Sequence, residues 1–263
     1  MLIVRALARL MVAGSQALQQ CTTLQMRRYK AKIISFSGID GAGKSTQIDA
    51  LSRFLLNRGD CFQLYTFWDD IVAFSRHREY LSLRAFKGEK GVGSPERPIA
   101  RRDKNVTSWY VVILRLLLYT IDAVRLLAIV LKHESEDVDY LIFDRYIYDE
   151  LANLPLQYGL VRAYVRLLSS IAPTPDLAFL LDAQPEAAVR RKPEYPLDFV
   201  RRNREAYLAI ANMSGMRVLP PSSVEKTAAS IRESVGSLGT RADSAEVRTR
   251  NALAVGGAQN PGS

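Results

Sequence analysis

Nine consecutive residues, Gly38-Ile39-Asp40-Gly41-Ala42-Gly43-Lys44-Ser45-Thr46, have the types and spacing of a polyphosphate cradle, G-x-x-x-x-G-K-[ST]. Glycines at these positions allow backbone angles that turn successive amide N–H groups toward one anion. A helix starting near Lys44 adds the partial positive charge of its N-terminus. Lys44 is then expected to reach the β- and γ-phosphates, and the Ser45 hydroxyl to ligate Mg²⁺. A chance match in a chain of this length is on the order of one in a hundred. A second run, Tyr140-Leu141-Ile142-Phe143-Asp144, is apolar and ends in a carboxylate. Alone, such an aspartate is as readily a helix cap. Beside a phosphate loop it reads as a Walker B element, with Asp144 holding the metal directly or through water.

These residues need a scaffold that delivers strand ends to one place. Short β-rich runs occur at Lys32 to Ser37, Phe62 to Phe67, Tyr140 to Asp144, Leu177 to Asp182 and Met216 to Leu219, with helical stretches between them. This alternation predicts an α/β fold of the P-loop NTPase type, a five-stranded parallel sheet with helices on both faces. Ligands of such sheets bind beyond the strand carboxyl ends, where Asp40, Asp144, Arg145 and Asp182 fall. The apolar run Val106 to Leu131 carries Arg115, Asp122 and Arg125, so it reads as a largely buried helix with one polar stripe rather than a membrane span. Its remaining sides would present Trp109, Val112, Ile113, Leu116, Ile121, Val124 and Leu127.

The 263 residues are 48% hydrophobic and 24% charged, the composition of a globular protein with one substantial core. Six of the nine net positive charges lie in residues 1 to 39 (Arg5, Arg9, Arg27, Arg28, Lys30 and Lys32), which contain no acid. The remainder is mildly basic, which suits small polyanions and falls short of a nucleic-acid footprint. Cys21 and Cys61 form no CxxC pair and imply reduced thiols in a cytoplasmic setting. The acid-free, amphipathic N-terminal extension, residues 1 to 30, leaves a mitochondrial address as the alternative, or a dispensable leader with translation beginning at Met26. The kinase-type domain is expected over 31 to 235. Within it, 84 to 105 is a long basic loop with Gly88, Gly91, Gly93, Pro95 and Pro98; residues 236 to 263 read as a disordered tail. His77 and His133 lack metal-site spacing and read as surface residues.

FSGIDGAGKSTQ, FDRY and PDLAFLLDAQPEAAVRR, in this order, resemble thymidylate kinases over most of residues 31 to 219. The resemblance implies ATP-dependent phosphorylation of a nucleoside monophosphate, dTMP to dTDP, with Mg²⁺. It puts Asp40 near the acceptor and metal, and Arg145 on the acceptor phosphate with Tyr146 beside it; Asp144 and Asp149 complete the acceptor side. It also implies a lid over 190 to 198 whose Arg190 and Arg191, next to Lys192, close on the phosphates, because Ala42 leaves the P-loop without an arginine of its own. The chain departs from the family where Tyr65-Thr66-Phe67-Trp68-Asp69-Asp70 replaces an Arg-Glu-Pro-Gly-Gly segment. It departs again where Ala123 follows Asp122 in place of a base-reading arginine, where Ala152-Asn153-Leu154 replaces Ala-Tyr-Gln, and where Asp149 replaces a common serine. Phe67 and Trp68 read as core before base-stacking residues. Asp69 or Asp70 keeps open a deoxynucleoside kinase, using a carboxylate as base toward a 5′-hydroxyl, unless both simply start a helix. A nucleotide-binding switch or scaffold is a further alternative. The expected partner is a small-molecule nucleotide, with no nucleic acid and no membrane, and a homodimer stays open.

Overall fold

The computed structural model describes residues 31–72, 109–133 and 138–238. The extension 1 to 30, the basic loop 84 to 105, nearly all of the tail, Cys21 and His77 lie outside the described residues. Five strands, β1 (Lys32–Ser37), β2 (Phe62–Thr66), β3 (Tyr140–Asp144), β4 (Leu177–Leu181) and β5 (Arg217–Leu219), form one sheet in the order β2-β3-β1-β4-β5. Every pairing is parallel, so the fold is the α/β P-loop NTPase architecture.

The helices are α1 (Lys44–Arg58), α2 (Trp109–His133), α3 (Ile147–Leu151), α4 (Gly159–Ile171), α5 (Pro185–Arg191), α6 (Leu197–Ser214) and α7 (Val224–Gly236). The period-2 alternation of the strands sorts the core into two layers. Ile33, Leu141, Phe143 and Leu180 face the cluster built with α2, α3, α4 and α6, while Ile34, Phe36, Tyr140, Ile142, Phe179 and Leu181 face the one built with α1 and α7. The central strand β1 and its neighbour β3 are buried on both faces, which is why their sequences are nearly continuous apolar runs.

β1 is flanked by β3 on one side and β4 on the other, so the chain reverses its direction of travel across the sheet beside β1. That reversal opens a crevice beyond the carboxyl ends of β1, β3 and β4.

Three local expectations are corrected. β2 stops at Thr66, and Phe67–Ile71 form a single π-helical turn in which Asp70 caps the Thr66 N–H at 2.7 Å. Phe67 is fully buried and Trp68 packs against the same core, as their apolar character implied. His133 is buried rather than on the surface, and its Nε2 is hydrogen-bonded to the Tyr65 hydroxyl. The third correction concerns α2, whose inner face is Tyr119, Asp122, Ala123, Leu126, Val130 and His133. Asp122, assigned to the polar stripe, is inside; Ile113, Ile121 and Val124, placed on the remaining sides of a largely buried helix, are exposed. Among the described residues one side of this helix meets the core, and apolar residues occur on its other sides as well.

Candidate active site

The phosphate loop is wedged between neighbouring backbones at two of its glycines. Gly38 has φ +143, and a Cβ there would stand 2.6 Å from the Leu181 carbonyl oxygen at the end of β4. Gly41 has φ +80, and its Cβ would stand 2.6 Å from the Ala188 carbonyl oxygen in α5. Only glycine satisfies both the left-handed angles and these approaches. Gly41→Ala is expected to push α5 off the loop, lowering stability by about 2 kcal/mol or more. ATP affinity is expected to fall about tenfold or more as the cradle distorts; thermal unfolding and an ATP titration read the two effects.

Lys44, the first residue of α1, is buried and turns back over the loop, donating to the Gly38 oxygen at 2.8 Å and the Ile39 oxygen at 3.1 Å. Burial, and then the Arg145 guanidinium, bring its pKa down to about 8. Ser45 and Thr46 are exposed at the head of the same helix.

Asp144 closes β3. Burial raises its pKa, with Lys44 and Arg145 pulling the other way. Its Oδ1 is buried and makes no hydrogen bond to a described residue. A carboxylate oxygen in that condition suits a hard cation or a cation-bound water, and Ser45 is a second oxygen donor of the kind Mg²⁺ accepts beside waters and phosphate oxygens.

Arg145, the next residue, is the one described non-glycine position with positive φ, at 69°. Its amide is held by the Phe36 oxygen of β1 at 2.9 Å. The guanidinium pairs through NH2 with Asp40 of the phosphate loop, and through NH1 with Asp149 Oδ1 and the Tyr207 hydroxyl, each at 3.3 Å. Burial opposes its charge; the Tyr207 hydroxyl and the carboxylates of Asp40 and Asp149 outweigh that and keep it protonated. Lys44, Asp40, Asp144, Arg145 and Asp149 are thus brought into one electrostatically coupled group.

Tyr146 is a correction. Its ring is fully buried among Phe67, Phe143 and Tyr148, and its hydroxyl donates to the Pro173 oxygen at 2.6 Å. The positive φ at Arg145 breaks the strand's alternation after Asp144 and returns Tyr146 to the core layer of Leu141 and Phe143, so it supports the arginine from behind. Arg190, Arg191 and Lys192 are exposed at the end of α5, Arg191 bonding only its own helix at the Ala187 oxygen and Lys192 pairing with Glu194. Asp182, at the carboxyl end of β4, is held by Arg204 through a two-pronged pair at 2.6 and 2.7 Å.

Sequence reasoning missed the residues supplied by α6. Arg201 pairs with Glu186 of α5, Arg204 with Asp182, and Tyr207 reaches Asp149 and Arg145. Their spacing of three puts them along one side of the helix, which was the only available signal. Ser37, the last residue of β1, was missed as well; its hydroxyl donates to Asp149 Oδ2 at 2.6 Å.

A phosphate loop, a strand-end carboxylate with an open oxygen, and an adjacent, partly buried arginine beyond a parallel sheet define a P-loop kinase of the nucleoside monophosphate type. No family model matches the chain. It is 29% identical over 208 residues to a thymidylate kinase of Chlorobaculum tepidum, covering 71% of this chain and 87% of that protein. It is 27% identical over 204 residues to a thymidylate kinase of Prochlorococcus marinus strain AS9601, covering 73% and 89%. A thymidylate kinase of Thermoanaerobacter sp. strain X514 is 28% identical over 192 residues, covering 69% and 84%. The chain is thus similar to thymidylate kinases, at 27 to 29% identity over about 70% of its length.

Proposed function

We propose that this chain transfers the γ-phosphoryl group of ATP to a nucleoside monophosphate, with dTMP as the acceptor and Mg²⁺ as the metal. The carrying observation is Arg145, a partly buried guanidinium held beside the phosphate-loop lysine and aspartate. A hydroxyl acceptor needs a base, whereas a monophosphate brings its own nucleophilic oxygen and needs a cation to hold it. Arg145 supplies that cation, and Asp40 orients it. The Asp70 carboxylate, considered as a base, is engaged in capping its own turn.

In this reading the loop amides from Gly38 to Thr46 hold the donor phosphates, and Lys44 exchanges its two carbonyl partners for phosphate oxygens. Ser45 and Asp144 would hold Mg²⁺, which supplies charge neutralisation at the transferring group. Arg190 and Arg191, exposed in the open form, close over the donor with the 190 to 198 segment and exclude water. The dTMP assignment draws on the family; fully buried Ala123 stands where the base-reading arginine was expected, so the base edge is read by other groups. The test is a panel of nucleosides and nucleoside monophosphates, including thymidine and dTMP, assayed for ADP release and product. Phosphorylation of dTMP is expected; turnover only with nucleosides, or ADP release indifferent to acceptor, would sink the reading.

We further propose that the protein acts as a homodimer through α2. Leu114, Leu117, Ile121, Val124, Ala128 and Leu131 are exposed at alternating spacings of three and four. They form a seam about 26 Å long, and a second copy across a two-fold axis presents the same seam. The wild type is expected to run as a dimer in light scattering at micromolar concentration, and Leu117→Glu as a monomer. A monomeric wild type overturns this. Among the described residues no helix is long and apolar enough to cross a membrane.

A further inference from the structure

Asp149 is buried and accepts four hydrogen bonds from three parts of the fold. Ser37 Oγ at the end of β1 donates to Oδ2 at 2.6 Å, and the Tyr146 N–H to the same oxygen at 3.0 Å. Tyr207 Oη of α6 donates to Oδ1 at 2.7 Å, where Arg145 NH1 also arrives at 3.3 Å. Burial, and then Asp149 itself, keep the Tyr207 phenol protonated, so it is a donor to the carboxylate. The same phenol oxygen accepts from Arg145 NH1.

One carboxylate therefore fixes both the turn that carries Arg145, through the Tyr146 amide, and the guanidinium head. That turn is strained at φ 69°, a conformation a non-glycine residue keeps only when its surroundings over-determine it. Three of the five N–H donors of Arg145 are engaged by Asp40, Asp149 and Tyr207, which leaves two, one of them on Nε, to reach a ligand. The planar head is aimed as well as charged.

We infer that Asp149 and Tyr207 are positioning residues that preset Arg145 for the acceptor phosphate and couple its aim to α6, the helix that begins at the end of the 190 to 198 segment. Ser37 ties the same carboxylate to the residue preceding the phosphate loop, so acceptor arginine, donor loop and lid-side helix share one anchor. The inference rests on the nucleoside monophosphate reading above.

The test is steady-state kinetics of Tyr207→Phe and Asp149→Asn, varying the monophosphate acceptor and ATP in turn, with Tyr207→Phe repeated in an Arg145→Ala background. Tyr207→Phe removes one hydroxyl and is expected to raise the acceptor KM about tenfold, as for a lost hydrogen bond within a charged network, with the KM for ATP within about twofold. Asp149→Asn is expected to cut acceptor kcat/KM about 30-fold. With Arg145 absent, Tyr207→Phe should change acceptor kcat/KM by less than about twofold, because its effect passes through that arginine. Should Asp149→Asn not fold, the tyrosine variant and its cycle still decide. An unchanged acceptor KM in Tyr207→Phe, equal losses toward ATP and acceptor, or additivity with Arg145→Ala overturns the positioning role alone. A wild type that phosphorylates no monophosphate overturns the function reading and this inference together.

Discussion

Lys44→Ala is expected to lower kcat by about 10³-fold or more while leaving the protein folded. The loss is large because the lysine is the cation closest to the cradle and no other described cation replaces it there: Arg145 is committed to Asp40, Asp149 and Tyr207. The fold survives because the ammonium is a cost to it. Burial is the largest influence on Lys44 and takes its pKa down to about 8 from the ordinary 10.5, so the folded state disfavours the charged form. Removing a desolvated charge whose direct partners among the described residues are two loop carbonyls is nearly neutral for stability, or favourable. The linkage has a definite sign. Between about pH 8 and 10.5 the unfolded chain binds more protons at Lys44 than the folded one, so the wild type gains stability relative to the variant as pH rises through that window. Chemical denaturation of both proteins at pH 7.5 and 9.5, beside the turnover assay, separates the two effects. A variant retaining a tenth of wild-type kcat would remove Lys44 from its proposed role.

Arg145→Ala is expected to cut acceptor kcat/KM about 10³-fold with the KM for ATP within about threefold, in the range found when a phosphate-binding arginine is lost. The substitution does not strand its neighbours. Asp149 keeps Ser37, the Tyr146 amide and Tyr207 as donors, and Asp40 is partly open to solvent. Loss of activity is therefore a loss at the acceptor rather than a collapse of the site. Arg145→Lys should recover little, because a point charge on a flexible stem cannot serve Asp40 and Asp149 while presenting further donors to a phosphate. If acceptor affinity and rate were untouched in Arg145→Ala, the arginine would have no part in acceptor binding.

The phosphate loop and the sheet were legible in the sequence for one reason: both are local patterns. The G-x-x-x-x-G-K-[ST] spacing is dictated by the backbone angles of a single turn, and Gly38 and Gly41 are required by atoms whose approach any such loop must permit. β1 and β3 announced themselves as apolar runs because burial on both faces removes the usual alternation, whereas β2 and β5 keep exposed positions; the predicted limits of all five differ from the observed ones by no more than a residue. The acid at the end of β3 could be named on the same basis, whereas the arginine beside it was named through the resemblance to thymidylate kinases.

Other features required the chain to close on itself. Whether Asp122 or Val124 faced inward on α2 depended on which side the sheet took, and a helix with apolar residues on most of its circumference gives no vote. Tyr146 and Arg145 are adjacent in sequence, yet one enters the core and the other the crevice, a division set by the positive φ of Arg145 just past the end of β3. Tyr207 lies 58 residues beyond Asp149, and Ser37 lies 112 before it. Spacing along a chain fixes what a segment can be, because local sterics and hydrogen bonding are local; which distant side chains meet a buried carboxylate is decided by packing alone.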